Sequence, residues 1–242
     1  MRSNASATCG RDQLIENLLR CGIAAGPIYV VVGLAQALSR EGFDMRRHAL
    51  SLLSNGDLGW IQVGNFVTSG LLVIAGAIGF GKVLQGRRGG TWAPLLLAAY
   101  GVGLIGAGVF IADPASGFPP GTPMRATELT RHGLLHFVFG GLGFFALIGA
   151  TFVLAWRFWS SKQTGWASYS AFTGAGFLIG FAMIASGLKS PVIMLTFYVA
   201  VFWVWVWHTA VYAKVSREGK PDDQIDNGRL KLLTDDGGAI CL

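Results

Sequence analysis

His132 and His136 stand four residues apart, a spacing that puts two imidazoles on one face of a helix, where they could hold a metal ion if a third ligand reached them. Asp113 is the natural third ligand. Zinc or a similar transition metal held there would activate a bound water, and the chemistry would be hydrolysis. The pair lacks the Glu that completes a zinc-protease motif, so the spacing alone is nonspecific; histidines held in structural hydrogen bonds are the competing reading. Asp113 also precedes Pro114, and its carboxylate suits capping a turn or pairing with Arg131. No resident cofactor is expected.

A second group of candidates lies earlier in the chain. Arg46 and Arg47, like Arg131, carry planar guanidinium groups suited to a phosphate or carboxylate headgroup, and equally suited to lying along an interface with the charged end in water. His48 has Ser51 and Ser54 nearby in sequence, but neither serine sits in the sharp Gly-x-Ser-x-Gly turn of a nucleophile, so helix capping is expected of them. Gln62 and Asn65 fall within an apolar stretch, where an unpaired amide is costly. They must bond a neighbouring helix or line a polar pocket. Trp60 suits an interfacial anchor or a stacking surface for a ligand. Pro119, Pro120 and Pro123 stiffen the segment after Asp113, as a lid or an ordered connector requires.

The elements that must position these groups follow from composition. The 242 residues are 52% hydrophobic and only 13% charged, with mean hydropathy +0.50, and the apolar residues come in runs of about 20, the length that crosses a hydrocarbon core as a helix. Six such runs fall at about 19–38, 58–84, 92–112, 133–158, 166–186 and 191–213. The expected fold is all-α, a polytopic bundle of six transmembrane helices. A polar N-terminal tail, 1–18, precedes it, and a polar tail, 214–242, expected to be disordered, follows. Arg2, Arg11 and Arg20 ahead of the first run and Ala35-Gln36-Ala37 at its end have the outline of a cleaved leader. The run is nevertheless long enough to span, and five more follow.

Net charge of +6 does not point to nucleic acid, because the basic residues occupy short connections and termini rather than a stripe on one face. Counted on alternate sides of the six runs, thirteen Lys and Arg fall on the side of the termini and six on the other. The positive-inside rule then places both termini in the cytoplasm and the two long connections, about 39–57 and 113–131, outside. Trp92, Trp156, Trp159, Trp166, Trp207 and Tyr212 are expected in an aromatic belt at the cytoplasmic interface. The glycines inside runs three to five, among them Gly101, Gly103 and Gly143, are expected to let helices approach closely. Cys9, Cys21 and Cys241 are odd in number and far apart, which suits neither a disulfide framework nor a zinc knuckle.

The two long connections also carry a resemblance. The Arg47-His48-Ala49-Leu50-Ser51-Leu52-Leu53-Ser54 stretch, Gly59-Trp60-Ile61-Gln62-Val63-Gly64-Asn65-Phe66, Gly106-Ala107-Gly108 running on through Phe110 to Asp113-Pro114, Gly117 to Pro123, and His132-Gly133-Leu134-Leu135-His136 occur in the order seen in bacterial six-span membrane proteins grouped as domain of unknown function 998. The chain resembles that family over nearly all of 19–213. The resemblance implies six spans and a bacterial inner membrane, and no settled activity.

The sequence therefore points to a multi-pass protein of the inner membrane, more a binder than an enzyme. Its outward-facing polar pocket would take a lipid headgroup, a small ligand or a partner through Arg46, Arg47, His48, Trp60, Gln62, Asn65, Asp113 and Arg131. A metal-dependent intramembrane lipid hydrolase using His132, His136 and Asp113 is the first alternative, and a small-solute transporter the second. The bilayer is the expected partner, nucleic acid is not, and the oligomeric state is left open.

Overall fold

The computed structural model describes residues 2–124 and 129–218, with side chains from Gly10 onward. The described residues contain six helices, each long and apolar enough to cross a membrane: α1 (Arg2–Ser39), α2 (Gly59–Val83), α3 (Trp92–Val109), α4 (Arg131–Ser160), α5 (Thr164–Ala185) and α6 (Pro191–Glu218). A short 3-10 helix, Leu50–Ser54, interrupts the connection between α1 and α2. The protein is an all-α polytopic bundle.

Helix ends depart from the apolar runs for local reasons. α1 begins at Arg2, within the stretch expected to be a tail; polar residues satisfy a helical backbone as well as apolar ones, and Arg20 pairs with Glu16 one turn away at 2.9 Å. α3 stops at Val109, three residues early, where Phe110 turns extended ahead of the Asp113-Pro114 step. α6 runs on to Glu218, which pairs with Lys214 at 3.1 Å and with Arg157 of α4 at 3.0 Å. The rest of the expected disordered tail, 219–242, lies outside the described residues.

Each helix packs on the next in sequence, and α6 packs back on α1, closing a ring. In lipid no hydrophobic effect separates helix from solvent, so close packing and hydrogen bonds must hold such a ring. Glycine supplies the packing. A Cβ on Gly103 of α3 would stand 2.7 Å from Cα of Gly143 in α4, and one on Gly101 would stand 2.7 Å from the Gly70 carbonyl of α2. Only hydrogens fit there.

Large side chains of α6 reach into the ring interior. Trp205 stacks on Tyr29 of α1 at 4.8 Å and lies against Tyr100 of α3, and Tyr212 meets Phe80 of α2 edge-on. Trp207, 0% exposed, donates to Ser170 Oγ of α5 at 3.0 Å. Trp207 and Tyr212 thus belong to the interior and not to the expected belt, whereas Trp92, Trp156 and Trp159 are exposed. Spacing along a helix cannot tell a residue facing the ring axis from one facing lipid when both surroundings are apolar.

Candidate ligand-binding site

The connections before α2 and before α4 fold together over one end of the ring as a cap. Arg40, just past α1, donates to the carbonyls of Leu53 at 2.8 Å and Asn55 at 2.6 Å, and its guanidinium lies over the Phe118 ring. Burial holds that guanidinium below its usual pKa, with Asp57 opposing the shift. Asn55 donates across to the Ala112 carbonyl at 3.0 Å. Phe118, fully buried, packs edge-on against Phe43 and close to His48.

His48 is the central link of the cap, 1% exposed. Its Nδ1 accepts from the backbone N–H of Asp44 at 2.9 Å, so the proton sits on Nε2, which donates to the Ser116 carbonyl at 2.9 Å. Its own carbonyl accepts from Tyr198 Oη of α6 at 2.7 Å. One residue joins both connections and the last helix.

The remaining sequence candidates scatter around this cap. Arg46 is exposed, and Arg47 pairs with Asp44 at 3.1 Å. Ser51 and Ser54 are expected to cap α2, but the Ser54 hydroxyl donates to the Ser51 backbone carbonyl inside the 3-10 helix instead, and no side chain caps α2. Trp60 is 69% exposed on the outer face of the ring. Gln62 and Asn65 form a buried chain between α1 and α2: Gln36 Nε2 donates to Gln62 Oε1 at 2.9 Å, and Asn65 Nδ2 donates to the Tyr29 carbonyl at 3.1 Å. These amides hold two helices together rather than line an opening.

Asp113, His132 and His136 are drawn into three separate duties. The Asp113 carboxylate accepts from both the N–H and the hydroxyl of Thr130, and Thr130 in turn caps α4 by accepting from the Gly133 N–H at 3.0 Å. It rests so close over Gly133 that a Cβ there would overlap it. Arg131 and His132 are exposed, with the His132 ring against Phe110. Among the described residues no group of three His, Cys, Asp or Glu lies placed to hold a metal ion. The expected convergence of these three fails because Asp113 is engaged at the helix start.

His136 instead faces inward. Its Nδ1 lies 2.9 Å from the carbonyls of both Ala107 and Phe110. Carbonyl oxygens only accept, so Nδ1 carries the proton and Nε2 offers a lone pair. That nitrogen has no partner among the described residues. Beside it, under the 3-10 helix, lies a cavity of about 150 Å³ to which every helix of the ring contributes, including Tyr29, Phe66, Tyr100, Phe181 and Tyr198. Its walls are overwhelmingly apolar. The hydroxyls of Tyr29 and Tyr100 have no hydrogen-bond partner among the described residues, and both rings line the same cavity.

Of the residues that build this site, His48 and His136 stand out in the sequence. Tyr29, Tyr100 and Tyr198 come from three helices, and nothing in their local spacing marks them. Arg40 borders an apolar run as any interfacial arginine would. A family model described as "Protein of unknown function (DUF998)" matches residues 23–214. No curated protein and no solved structure matches the chain.

Proposed function

The chain belongs to the DUF998 family, and from that premise we propose that it is a non-catalytic receptor for an apolar molecule, or for part of a lipid, in the cytoplasmic membrane of a bacterium. The positive-inside count puts the cap outside and both termini in the cytoplasm, so the cavity lies in the outer half of the membrane. The observation that carries the reading is the pairing of an apolar cavity with one fixed acceptor, His136 Nε2. A few placed polar groups in apolar walls are the usual make-up of a small-molecule site. The ligand would present a hydroxyl or other donor to Nε2 and bury its apolar part among the aromatic rings.

Size narrows the ligand. A cavity of about 150 Å³ resembles the engineered apolar cavity of roughly that volume that takes up benzene. A space of that volume holds one ring or a short length of alkyl or isoprenoid chain. Anything larger must extend out between helices. The cap supports a binding role over a hydrolytic one, because His48, Asp113 and the Nδ1 of His136 are all occupied by structural bonds.

Extraction of purified protein with organic solvent, followed by mass spectrometry, tests this. Wild type should carry a lipid or apolar metabolite at near one-to-one ratio. Val201→Trp, which fills the cavity, should lose it. His136→Asn keeps a donor for the two carbonyls while removing the Nε2 acceptor, and should lose it without loss of fold. Equal recovery from all three proteins would end the proposal.

A further inference from the structure

The opposite end of the ring carries a second concavity that the cavity under the cap does not explain. Arg87 and Arg88 from the α2–α3 turn, Arg157 from the end of α4, and Lys214 and Arg217 from the end of α6 line a space of about 540 Å³. Residues distant in sequence converge there, which a general bias toward basic loops does not require. Glu218 is the one acid in the lining, and it is shared between Arg157 and Lys214. Arg157 also donates to the Arg88 carbonyl at 3.1 Å, so it is fixed in place, its side chain only 7% exposed. Arg87, Arg88 and Arg217 are exposed and pair with no acid among the described residues.

The depth of this basket is set by tryptophan. The Arg88 guanidinium lies over the Trp156 ring, and Lys214 Nζ lies over Trp166. Trp156 and Trp159 are exposed at the same end of the bundle, and exposed tryptophan collects at headgroup level. Guanidinium forks match the paired oxygens of a phosphate. We propose that this basket binds a phosphate group, supplied by the headgroup of an anionic lipid in the leaflet beside it. The lipid is favoured over a soluble phosphate compound because of that depth.

Native mass spectrometry of the full-length protein, titrated with phosphatidylglycerol and with phosphatidylcholine, is the test. Wild type should retain the anionic lipid roughly tenfold better, with the preference weakened by salt. Arg87→Gln/Arg88→Gln/Arg217→Gln should bring the two lipids level while leaving the thermal midpoint near wild type, since the Arg157–Glu218 pair is untouched. Arg46→Gln/Arg47→Gln, at the capped end, should leave the preference intact. An equal loss in that control would make the effect one of net charge and overturn the site. Inorganic phosphate bound through the same three arginines, with no lipid preference, would assign a soluble ligand and overturn the lipid source. A preference that emerges only after Asp222→Asn/Asp223→Asn/Asp226→Asn would give the basket to the chain's own acidic segment instead. No response to either lipid or phosphate would leave no anion site at all.

Discussion

His48 and His136 hold their protons on opposite ring nitrogens: Nε2 in His48, because Nδ1 accepts from a backbone N–H, and Nδ1 in His136, because that atom faces two carbonyls. His48 has both nitrogens engaged within the protein. His136 keeps one nitrogen for something else.

That difference separates stability from binding. His48→Ala should lower the thermal midpoint in detergent markedly, by loss of two buried hydrogen bonds and exposure of their partners, on the order of 2–4 kcal/mol in all. His136→Asn should change the midpoint little in delipidated protein and act on ligand recovery instead. Comparable destabilisation by both would contradict the assignment of the two tautomers.

Gly133 and Asp113 should behave as a coupled pair. Gly133→Ala places a methyl where the Asp113 carboxylate rests, releasing the bond to Thr130 and loosening the start of α4, at a cost of about 1–3 kcal/mol. In an Asp113→Ala background the same change should cost less by roughly 0.5 kcal/mol or more, measured as a double-mutant cycle of unfolding. Additive effects would show that the two do not meet.

Gly103→Val should separate α3 from α4, because the added branches fall on the Gly143 backbone. Overpacking of this kind costs about 1–3 kcal/mol even where neighbours can yield. The expected outcome is low recovery of monodisperse protein in size-exclusion chromatography, with Gly140→Val, whose Cβ position meets nothing within 4 Å, as the tolerant control.

Asp44 gives the cap an acid limit. The Arg46 N–H bonded to its carboxylate lowers the Asp44 pKa, with the Arg47 guanidinium adding to the effect. The folded pKa lies below the unfolded one, so the unfolded chain binds the proton first. The stabilisation is full above the ordinary carboxylate range and is lost as pH falls through the folded value. The midpoint difference between wild type and Asp44→Asn should therefore shrink as pH is lowered below about 4. A difference that is constant down to pH 3 would remove Asp44 from the account.

Orientation is tested by labelling. In a chain with Cys9, Cys21 and Cys241 changed to serine, Glu41→Cys should react with an impermeant maleimide in intact cells, and Arg87→Cys only after the membrane is broken. The reverse pattern would invert the topology.

The six spans were legible because length and apolarity decide whether a helix crosses a membrane, and neither depends on neighbours. Helix ends were less so: the first turns of α1 and the last of α6 are polar, and their helicity rests on intrahelical bonds and on Arg157 reaching Glu218. The polar candidates were found as residues but not as a site. Asp113, His132 and His136 share a stretch of sequence, yet capping, exposure and the cavity draw them apart. The tyrosines around the cavity are visible only when the ring closes.

That closure has a consequence for biogenesis. The ring follows chain order, and its final contact joins the last helix to the first. Until α6 is inserted, Tyr29 and Tyr100 have no Trp205 between them, the Tyr198 latch on His48 does not exist, and the cavity lacks the wall that α6 supplies. A ribosome that stops before α6 leaves a chain whose ring has not closed, so the seating of α6 against α1 reports that synthesis was completed.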